Sequence, residues 1–393
     1  MALPGDRRLR ILLVTPLEES TGPLTGTPQR LELIKRALRK IGDLTVFVVP
    51  PDEDNMTAAQ LKEFNKHSLK VHHANLATAA CRNLAAHKPS PKAQTLYQAQ
   101  KPETYDVIFL HRLASAWWTG SIDPKRTLVD MDDIVTQYYA QGLHKGNILK
   151  RLAKRIRYEY MKRSEQRMLS CFRHVLVCSQ TDKDYLNHPN VEVLINSYWP
   201  TPEMDIEPQI KPQGGILFVG TLGYPPNVQG MEWFVEQVLP RIRQRRSDTT
   251  VTVVGRCDPE VARTWAWTKQ PGVDFKGSVP EVAPYIMNSQ FEICPLLQGQ
   301  GTRIKIVESL AYGKPVVSTT IGAYGIALGD DQGIIRRDDA ESFAKSCLEL
   351  LDQPERCHQL GLVGRKAVQE NLGPAMIEKT LTRLIHGMTG QPA

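Results

Sequence analysis

The sequence predicts an α/β fold made of two Rossmann-like, doubly wound domains that face each other across a cleft. Three observations carry this prediction: a length of 393 residues, short apolar runs that alternate with amphipathic helices, and a Pro-rich segment between two halves that both show this alternation. A chain of this length holds two domains of typical size. Continuous apolar strands with helices between them are typical of parallel sheets covered on both faces.

The N-terminal half begins with a buried strand at residues 10–16, an amphipathic helix at 27–42 and a second strand at 44–51. The pattern continues with strands at 106–112, 127–133 and 174–179, and with a long basic helix near 145–169. We therefore assign residues 1–200 to an N-terminal domain and the Pro-rich residues 201–214 to a linker.

The C-terminal half repeats the pattern from residue 215 onward. Strands are predicted at 215–221, 250–256, 273–277, 292–296 and 315–320, with helices at 227–246 and 280–289. These elements define a second domain over residues 215–376. In open parallel sheets, ligands bind at the carboxyl ends of the strands, so the candidate site is sought there.

Composition favours a globular protein of the cytoplasm. The chain is 41% hydrophobic and 23% charged, and no stretch approaches the roughly 18 to 20 apolar residues of a membrane span. The N-terminal segment lacks a cleavage-site pattern, so we expect no export. The seven cysteines include no C-x-x-C pair, which favours reduced thiols over disulfides or a zinc site.

The net charge of +7 is concentrated in the N-terminal half, where 29 Lys and Arg oppose 20 Asp and Glu, against 20 and 22 in residues 201–393. Residues 145–167 alone contain nine Lys or Arg and two Glu, with one apolar face formed by Leu149, Leu152, Ile156 and Tyr160. Such a helix could lie on anionic lipid and place the protein on the inner face of the membrane, or it could cover the sheet. Nucleic acid is disfavoured as a partner, since no aromatic residues interleave these charges in a binding motif.

The stretch GQGTRIKIVESLAYGKPVVSTT at 299–320 follows a predicted strand and begins an apolar helix. Gly299 and Gly301 let the backbone approach a ligand, and the free N–H groups of the first helical turn form an anion site. Lys305 and Glu308 share one polar face, which suits a diphosphate beside a ribose. The alternative is an exposed ion pair between these two side chains.

These residues also carry a family resemblance. GQGTRIKIVESLAYGKPVVSTTIGAYGI resembles the donor-site signature of the glycosyltransferase family four group, retaining enzymes of GT-B fold. GILFVGTLGYPPNVQGMEWFVEQVLPRIR and VVGR followed by GVDFKGSVPEVAPYI match in the same order. The N-terminal match is looser and rests on DVIFLHR, TLVDMDD and the run from KRSEQR to HVLVCSQTDKDYL.

The resemblance implies a nucleotide-sugar donor site in the second domain. Glu308 would hold the ribose, whereas the first glutamate of the family's pair is replaced by Gln300. Many relatives carry an Arg and a Lys after Gly220, where this chain has TLGYPPN, so Arg303, Lys305 or Arg256 would supply the charge for the diphosphate, with Arg303 the first choice. The other implied donor-binding residues are Gly26, Gly220, Asn227, Arg256, Ser278, Gly299, Gly301 and Thr302. Asn227 and Arg256 could equally be a helix cap and a solvated strand end.

In the first domain the resemblance implies that His111 contacts the transferred sugar and acts with Arg303 and Lys305 as a catalytic residue. Arg30, Arg112 and Asp133 are the candidate acceptor-binding residues. The family is understood to need no bound metal or cofactor besides the nucleotide sugar. The DMDD run at 130–133 could hold a metal in the other main glycosyltransferase fold, GT-A, but here the donor signature lies in a separate domain.

The sequence thus predicts a retaining glycosyltransferase that moves a sugar from a nucleotide-sugar donor to a glycan, a glycolipid or another hydroxyl acceptor, in surface polysaccharide or lipid-linked glycan synthesis. Two alternatives stay open. Gln300 and the missing Arg and Lys after Gly220 fit a non-catalytic subunit that binds nucleotide or glycan, and a sugar-nucleotide epimerase would use the same fold. The last predicted helix, at 377–388 within the C-terminal segment 377–393, is expected from the resemblance to pack back on the N-terminal domain.

Overall fold

The computed structural model describes residues 7–15, 26–48, 97–112, 115, 123–132, 134–141, 143, 147–210, 214–299 and 301–391. The chain divides into two compact units, one formed by Met1–Ile195 with Ala375–Ala393 and the other by Asn196–Pro374. Each unit contains one six-stranded sheet in which every pair of neighbouring strands is parallel. The prediction of two doubly wound α/β domains is therefore confirmed.

The sheet of unit 1 has the strand order β2-β1-β3-β4-β5-β6. Its strands and helices, in chain order, are β1 (Leu9–Thr15), α1 (Thr27–Ile41), β2 (Gly42–Val48), β3 (Val107–His111), β4 (Thr127–Asp130), α2 (Val135–Gln141), α3 (Ile148–Cys171), β5 (His174–Val177), α4 (Gln180–Leu186) and β6 (Val191–Val193). The strands are buried along almost their whole length because helices cover them. A glycine lies at each end of helix α1. Gly26 precedes the helix with a φ of 61°, a conformation that favours glycine, and Gly42 follows it.

The sheet of unit 2 has the order β12-β11-β10-β7-β8-β9. Its elements are β7 (Ile216–Val219), α5 (Pro225–Trp233), α6 (Leu239–Arg245), β8 (Val251–Val254), α7 (Pro259–Ala262), β9 (Val273–Gly277), α8 (Ala283–Asn288), β10 (Phe291–Cys294), α9 (Ile304–Ala311), β11 (Val316–Ser318), β12 (Ile334–Arg336), α10 (Ala340–Asp352) and α11 (Pro354–Asn371). Helix α12 (Pro374–Thr389) then follows and, from Ala375 onward, belongs to unit 1. Ion pairs link it to the rest of that unit between Lys40 and Glu378 and between Glu192 and Arg383.

The helix predicted at 227–246 is interrupted. A π-helical turn at Phe234–Val238 separates α5 from α6, directly before Pro240. Because proline has no N–H to donate and its ring clashes with the preceding turn, the helix widens locally there. The sequence assigned no elements between 321 and 376, where the structure adds β12, α10 and α11.

Helix α3 does not cover the sheet with the apolar face identified in the sequence. Its first residue follows Asn147, whose side chain accepts a hydrogen bond from the Lys150 N–H at 3.0 Å. The side chains that pack inward are Met161, Glu165 and Leu169, in the second half of the helix. In the first half, Leu149 is 77% exposed, Leu152 56%, Ile156 64% and Tyr160 54%, so the sheet-covering alternative is wrong for these four side chains. Among the residues that the structure describes, no helix has the length and apolar composition to cross a membrane.

Candidate functional site

In unit 1, three polar side chains meet where neighbouring strands end. Thr15 ends β1, His111 ends β3 and Asp130 ends β4, and these strands are adjacent in the sheet. The Thr15 hydroxyl lies 3.0 Å from His111 Nδ1. His111 is fully buried, and its Nε2 has no hydrogen-bond partner within the described ranges. Burial lowers the pKa of His111 to about 4, so the imidazole is neutral at physiological pH.

Arg30, predicted to bind the acceptor, is instead a buried structural residue. Its guanidinium donates two hydrogen bonds to Asp130, at 2.6 and 3.0 Å, and two more to the carbonyl oxygens of Leu194 and Ile195, at 2.9 and 3.1 Å. Neither side chain of the Arg30–Asp130 pair is exposed. A guanidinium whose donors are occupied in this way has nothing to offer an acceptor hydroxyl. The same contacts argue against a metal on Asp130.

Two residues beside this pair have left-handed backbone conformations. Arg112 has a φ of 66° and Asp132 a φ of 58°, although neither is a glycine. Arg112 Nη2 lies 3.5 Å from Asp132 Oδ2, and Asp132 Oδ1 lies 3.9 Å from Arg30 Nε. Such strained residues cluster at functional sites. The Arg112 side chain is 37% exposed and so remains accessible to a ligand, whereas Asp133 lies outside the described residues.

In unit 2, the candidate donor site is built around the start of helix α9, which follows β10. Arg303 occupies the N-cap position without a side-chain hydrogen bond to the first turn among the residues described. Gly299 has a φ of 120°, and a Cβ atom there would lie 2.4 Å from Arg303 Nη2. Glycine adopts this backbone conformation without strain, and the absence of a side chain leaves room for the Arg303 guanidinium against the backbone. Gln300 is outside the described residues, and Gly301 beside it has a φ of 75°.

Lys305 points towards the strand ends rather than into solvent. Its ammonium donates to Asn227 Oδ1 at 3.2 Å and lies 4.1 Å from the centre of the Phe218 ring. Asn227 in turn donates to the Thr221 carbonyl oxygen at 2.8 Å, which fixes it on the turn after β7. A Cβ atom on Gly220 would come within 3.0 Å of both Asn227 Nδ2 and Lys305 Nζ, so this glycine makes room for them. Burial lowers the pKa of Lys305.

Glu308 lies one turn further along α9. Its carboxylate forms no hydrogen bond or ion pair within the described part of the chain, so the exposed pair with Lys305 that the sequence left open is not formed. Burial raises the pKa of Glu308 to about 7. The hydroxyl of Thr302 is also buried and has no hydrogen-bond partner in the residues described. These two side chains retain hydrogen-bonding capacity for a ligand.

The remaining predicted donor residues lie on other strands of the unit 2 sheet or in unit 1. Arg256 follows β8, and its carbonyl oxygen accepts a hydrogen bond from the Leu222 N–H at 2.8 Å. Ser278 follows β9, is exposed, and accepts a hydrogen bond from the Cys257 N–H at 3.3 Å. Both lie at the carboxyl edge of the sheet, one and two strands away from β7. Gly26 belongs to unit 1, where it precedes helix α1.

Sequence reasoning missed one residue of this site. Glu292 is the second residue of β10 and is 1% exposed, and neither of its carboxyl oxygens has a hydrogen-bond partner in the described part of the chain. Burial raises the pKa of Glu292 to about 8, although the charge of Lys305 acts in the opposite direction. An acidic residue within the apolar run FEICPL was the available signal.

Comparison with known proteins identifies the fold and finds a family match within the second unit. Residues 213–353 match the family described as glycosyl transferases group 1. An uncharacterized 44.6 kDa protein in the cps region of Klebsiella pneumoniae is 25% identical over 40% of this chain and 42% of its own length. A phosphatidyl-myo-inositol mannosyltransferase from Mycolicibacterium smegmatis is 27% identical over 36% of each chain. The chain thus spans less than half the length of these curated relatives.

Solved structures resemble almost the whole chain. Sucrose-phosphate synthase from Thermosynechococcus elongatus superposes with a TM-score of 0.66 at 15% identity, covering 97% of this chain and 99% of its own. Anabaena HepE in complex with UDP superposes with a TM-score of 0.65 at 13% identity, covering 96% of this chain and 100% of its own. The predicted GT-B fold class is confirmed by these likenesses, and the match in residues 213–353 agrees with the predicted family. The roles of the individual site residues stay predictions.

Proposed function

We propose that this chain is a glycosyltransferase that uses a nucleotide-sugar donor, because residues 213–353 match the glycosyl transferases group 1 family and the chain has the GT-B fold. The observation that carries the proposal is the arrangement at the start of α9, where Lys305 is held against Asn227 and Phe218 at the carboxyl ends of the strands. Parallel sheets of this kind bind nucleotides at that edge.

The donor would bind with its diphosphate at the start of α9 and its ribose beside Glu308. The first N–H groups of the helix, the Lys305 ammonium and the Arg303 guanidinium are cationic or positively polarised groups that suit phosphate oxygens. One turn deeper, Glu308 can accept hydrogen bonds from the two ribose hydroxyls, which also offset the cost of its burial. HepE, whose fold this chain shares, was solved with UDP, so a uridine nucleotide is the first to test.

Cleavage of a sugar–phosphate bond places negative charge on the leaving diphosphate, and Lys305 and Arg303 would stabilise that charge in the transition state. We also propose, from the family resemblance, that His111 contacts the transferred sugar; its imidazole is neutral, and its buried Nε2 has no hydrogen-bond partner in the described residues. We further propose retention of configuration, with the leaving phosphate assisting deprotonation of the acceptor hydroxyl, and no requirement for a metal ion.

A non-catalytic subunit that binds nucleotide or glycan is the second candidate function, and Gln300 in place of the family's first glutamate favours it. The two candidates differ in a measurable way. A transferase releases UDP from its donor through slow hydrolysis or through transfer to an added acceptor, whereas a binding subunit shows nucleotide binding and no release.

Nucleotide binding is tested by thermal shift with UDP, GDP, ADP and CDP, first without metal and then with Mn²⁺. A nucleotide at about 100 times its dissociation constant should add roughly 2.7 kcal/mol of stability. We expect one nucleotide to stabilise the wild type without metal and to stabilise Glu308→Ala and Lys305→Met much less. The matched controls are Glu341→Ala and Lys345→Met, which alter exposed side chains of helix α10 in the same unit. The absence of a shift with all four nucleotides would contradict the donor site.

The first half of α3 points to the class of acceptor. It presents five large apolar side chains to solvent, namely Ile148, Leu149, Leu152, Ile156 and Tyr160. Exposed cations of the same segment surround them, namely Lys150, Arg151, Lys154, Arg155 and Arg157. An apolar face flanked by cations matches an anionic lipid surface, because the side chains bury their apolar area while the cations meet lipid phosphates. We propose that α3 docks the protein on such a surface and that the acceptor is lipid-linked.

Vesicle flotation tests the docking surface. Wild-type protein should float with vesicles that contain phosphatidylglycerol and less with vesicles of phosphatidylcholine alone. Each buried leucine contributes about 1.5 to 3 kcal/mol, so the pair of changes Leu149→Asp and Leu152→Asp should reduce binding at least tenfold. The control pair Val261→Asp and Val363→Asp alters side chains that are each 48% exposed in unit 2. Equal flotation of both double variants would exclude α3 as the lipid contact. If the oligomeric state is measured as well, a dimer that is lost only in the α3 variant would show that this face binds a second copy of the chain.

A further inference from the structure

The turn between β7 and α5, residues 220–227, contains no Lys or Arg but is attached to the candidate donor site. The Thr221 carbonyl oxygen accepts hydrogen bonds from the Tyr224 N–H at 3.2 Å and from Asn227 Nδ2 at 2.8 Å. Asn227 Oδ1 accepts a further hydrogen bond from the Lys305 ammonium of α9 at 3.2 Å. These bonds hold the backbone of the turn in one conformation beside the start of α9.

Helix α5 provides little for an anion from its own backbone. Its first two residues are Pro225 and Pro226, which have no N–H group. The N–H of the next residue, Asn227, donates to the Tyr224 carbonyl oxygen at 3.0 Å. The first three positions of α5 therefore provide no N–H group for a ligand, so a hydrogen-bond donor at this helix start has to be a side chain.

The Tyr224 side chain reaches from this turn to the loop before α9. Tyr224 occupies the N-cap position of α5, and a Cβ atom on Gly299 would lie 3.0 Å from its hydroxyl oxygen. The same Cβ atom would lie still closer to Arg303 Nη2, so a phenol and a guanidinium meet over one glycine. Tyr224 is 40% exposed, which leaves its side chain accessible to a ligand at this edge of the sheet.

We propose that Tyr224 is a further donor-binding residue, whose hydroxyl donates a hydrogen bond to the distal phosphate of a nucleoside diphosphate, the phosphate farther from the ribose. The proposal deepens the proposed function and rests on the donor site at α9. Arg303 is the N-cap of α9, Lys305 lies in its first turn and Glu308 lies one turn deeper. A nucleotide with its ribose at Glu308 would therefore place its second phosphate at Arg303 and Tyr224.

The phenol suits this position because it complements the guanidinium beside it. Arg303 brings a full positive charge, whereas Tyr224 brings a neutral O–H group that donates to an anion without repelling a neighbouring cation. Hydrogen bonds to an ionised acceptor are about twice as strong as those between neutral groups. A donor placed at the distal phosphate would favour nucleoside diphosphates over monophosphates.

Isothermal titration with UDP and with UMP tests this assignment. Tyr224→Phe removes the hydroxyl and keeps the ring, and we expect it to weaken UDP binding by about tenfold and to change UMP binding by less than about twofold. Arg303→Met should also weaken UDP binding. In that background Tyr224→Phe should have a smaller effect, because both side chains would bind the same phosphate.

The matched control is Tyr285→Phe, which removes the same oxygen atom from α8. Tyr285 lines a cavity of about 240 Å³ with Gly215 and Ile216, beside the amino-terminal end of β7 and hence at the opposite edge of the sheet. We expect this variant to bind UDP and UMP as the wild type does. If the thermal shift selects another base, the diphosphate and monophosphate of that base replace UDP and UMP.

Several outcomes would overturn the proposal. Unchanged UDP binding in Tyr224→Phe would show that Tyr224 only covers Gly299, and equal weakening of UDP and UMP would place its hydroxyl away from the distal phosphate. Both results leave the donor site intact, whereas failure of all four nucleoside diphosphates to bind the wild type would overturn the site and this proposal with it. If UMP binds too weakly to titrate, phosphorus NMR of bound UDP decides: Tyr224→Phe should shift the distal resonance, and a shift of the proximal resonance alone would contradict the assignment.

Discussion

The polar clusters at the strand ends of the two units differ in how their charges are compensated. In unit 1, Arg30 and Asp130 form a bidentate pair from which solvent is excluded, and Arg30 also binds two backbone carbonyl groups. In unit 2, Lys305 has one hydrogen bond to a neutral amide, and the carboxylates of Glu292 and Glu308 form no hydrogen bond of good geometry within the described residues.

This difference indicates that the charges of unit 1 stabilise the fold, whereas the charged groups of unit 2 are suited to bind a ligand. A paired buried charge fixes two elements relative to each other, here α1 and β4, and its removal is costly. Buried groups with few partners reduce stability in the absence of ligand and gain interactions when one binds. Mutations in the two clusters should therefore act on different measurable quantities.

The largest expected effect is that of Arg30→Met. It leaves the Asp130 carboxylate buried without its partner, which should lower the free energy of unfolding by about 3 to 5 kcal/mol in urea titrations. The exposed Arg39→Met, on the same helix, should change it by less than about 0.5 kcal/mol. Adding Asp130→Leu to Arg30→Met should recover much of the loss. A mild effect of Arg30→Met alone would show that the pair does not hold unit 1 together.

Acidification should destabilise unit 1 through His111. Its pKa is lowered from 6.5 to about 4 in the folded protein, so the unfolded chain binds a proton more readily between these values. The free energy of unfolding should then fall by up to about 3 kcal/mol as the pH drops from 6.5 to 4. Unfolding curves of His111→Gln at a series of pH values should lack this component, with His188→Gln as the control. Identical slopes in wild type and His111→Gln would contradict a neutral buried imidazole.

Unit 2 should respond to pH in the opposite direction through Glu308. Its pKa is raised from 4.5 to about 7, so the folded protein retains a proton that the unfolded chain has lost. The free energy of unfolding should fall by up to about 3 kcal/mol as the pH rises from 4.5 to 7. Glu308→Gln should remove this slope and raise stability at pH 7, while it weakens nucleotide binding. A variant that loses both stability and binding would place Glu308 among the structural charges instead.

The smallest expected effect is that of Arg112→Gly. Glycine adopts the φ of 66° without strain, although the long contact with Asp132 at 3.5 Å is lost. We expect a gain of up to about 1 kcal/mol in the free energy of unfolding. The free energy of unfolding should be compared with the transfer activity of the same variant. A more stable but less active variant would show that the strained Arg112 contributes to substrate binding or transfer. A variant with lower stability would indicate that Arg112 belongs to the structural network around Arg30.

Much of the fold could be predicted from sequence because its signals are local. Apolar runs gave the strands, and glycines marked the ends of α1 and the loop before α9. The stretch around Lys305 and Glu308 could be placed at a helix start for the same reason, since both the glycines and the helical period lie within a dozen residues. The π-helical turn before Pro240 depends on how the helix accommodates the proline, which periodicity does not reveal.

The sequence by itself determined two parallel α/β units, a family resemblance in the second unit and the helix start that suits an anion. Only the tertiary structure decided that Arg30 is a buried partner of Asp130, that Glu292 is a buried acid in the unit 2 sheet, and that the apolar face of α3 is exposed. The physical reason is that burial and charge compensation depend on residues far apart in the chain: Arg30 and Asp130 are separated by 100 positions. Residue type and spacing are local properties of the sequence, whereas the contacts that a side chain makes depend on the tertiary structure.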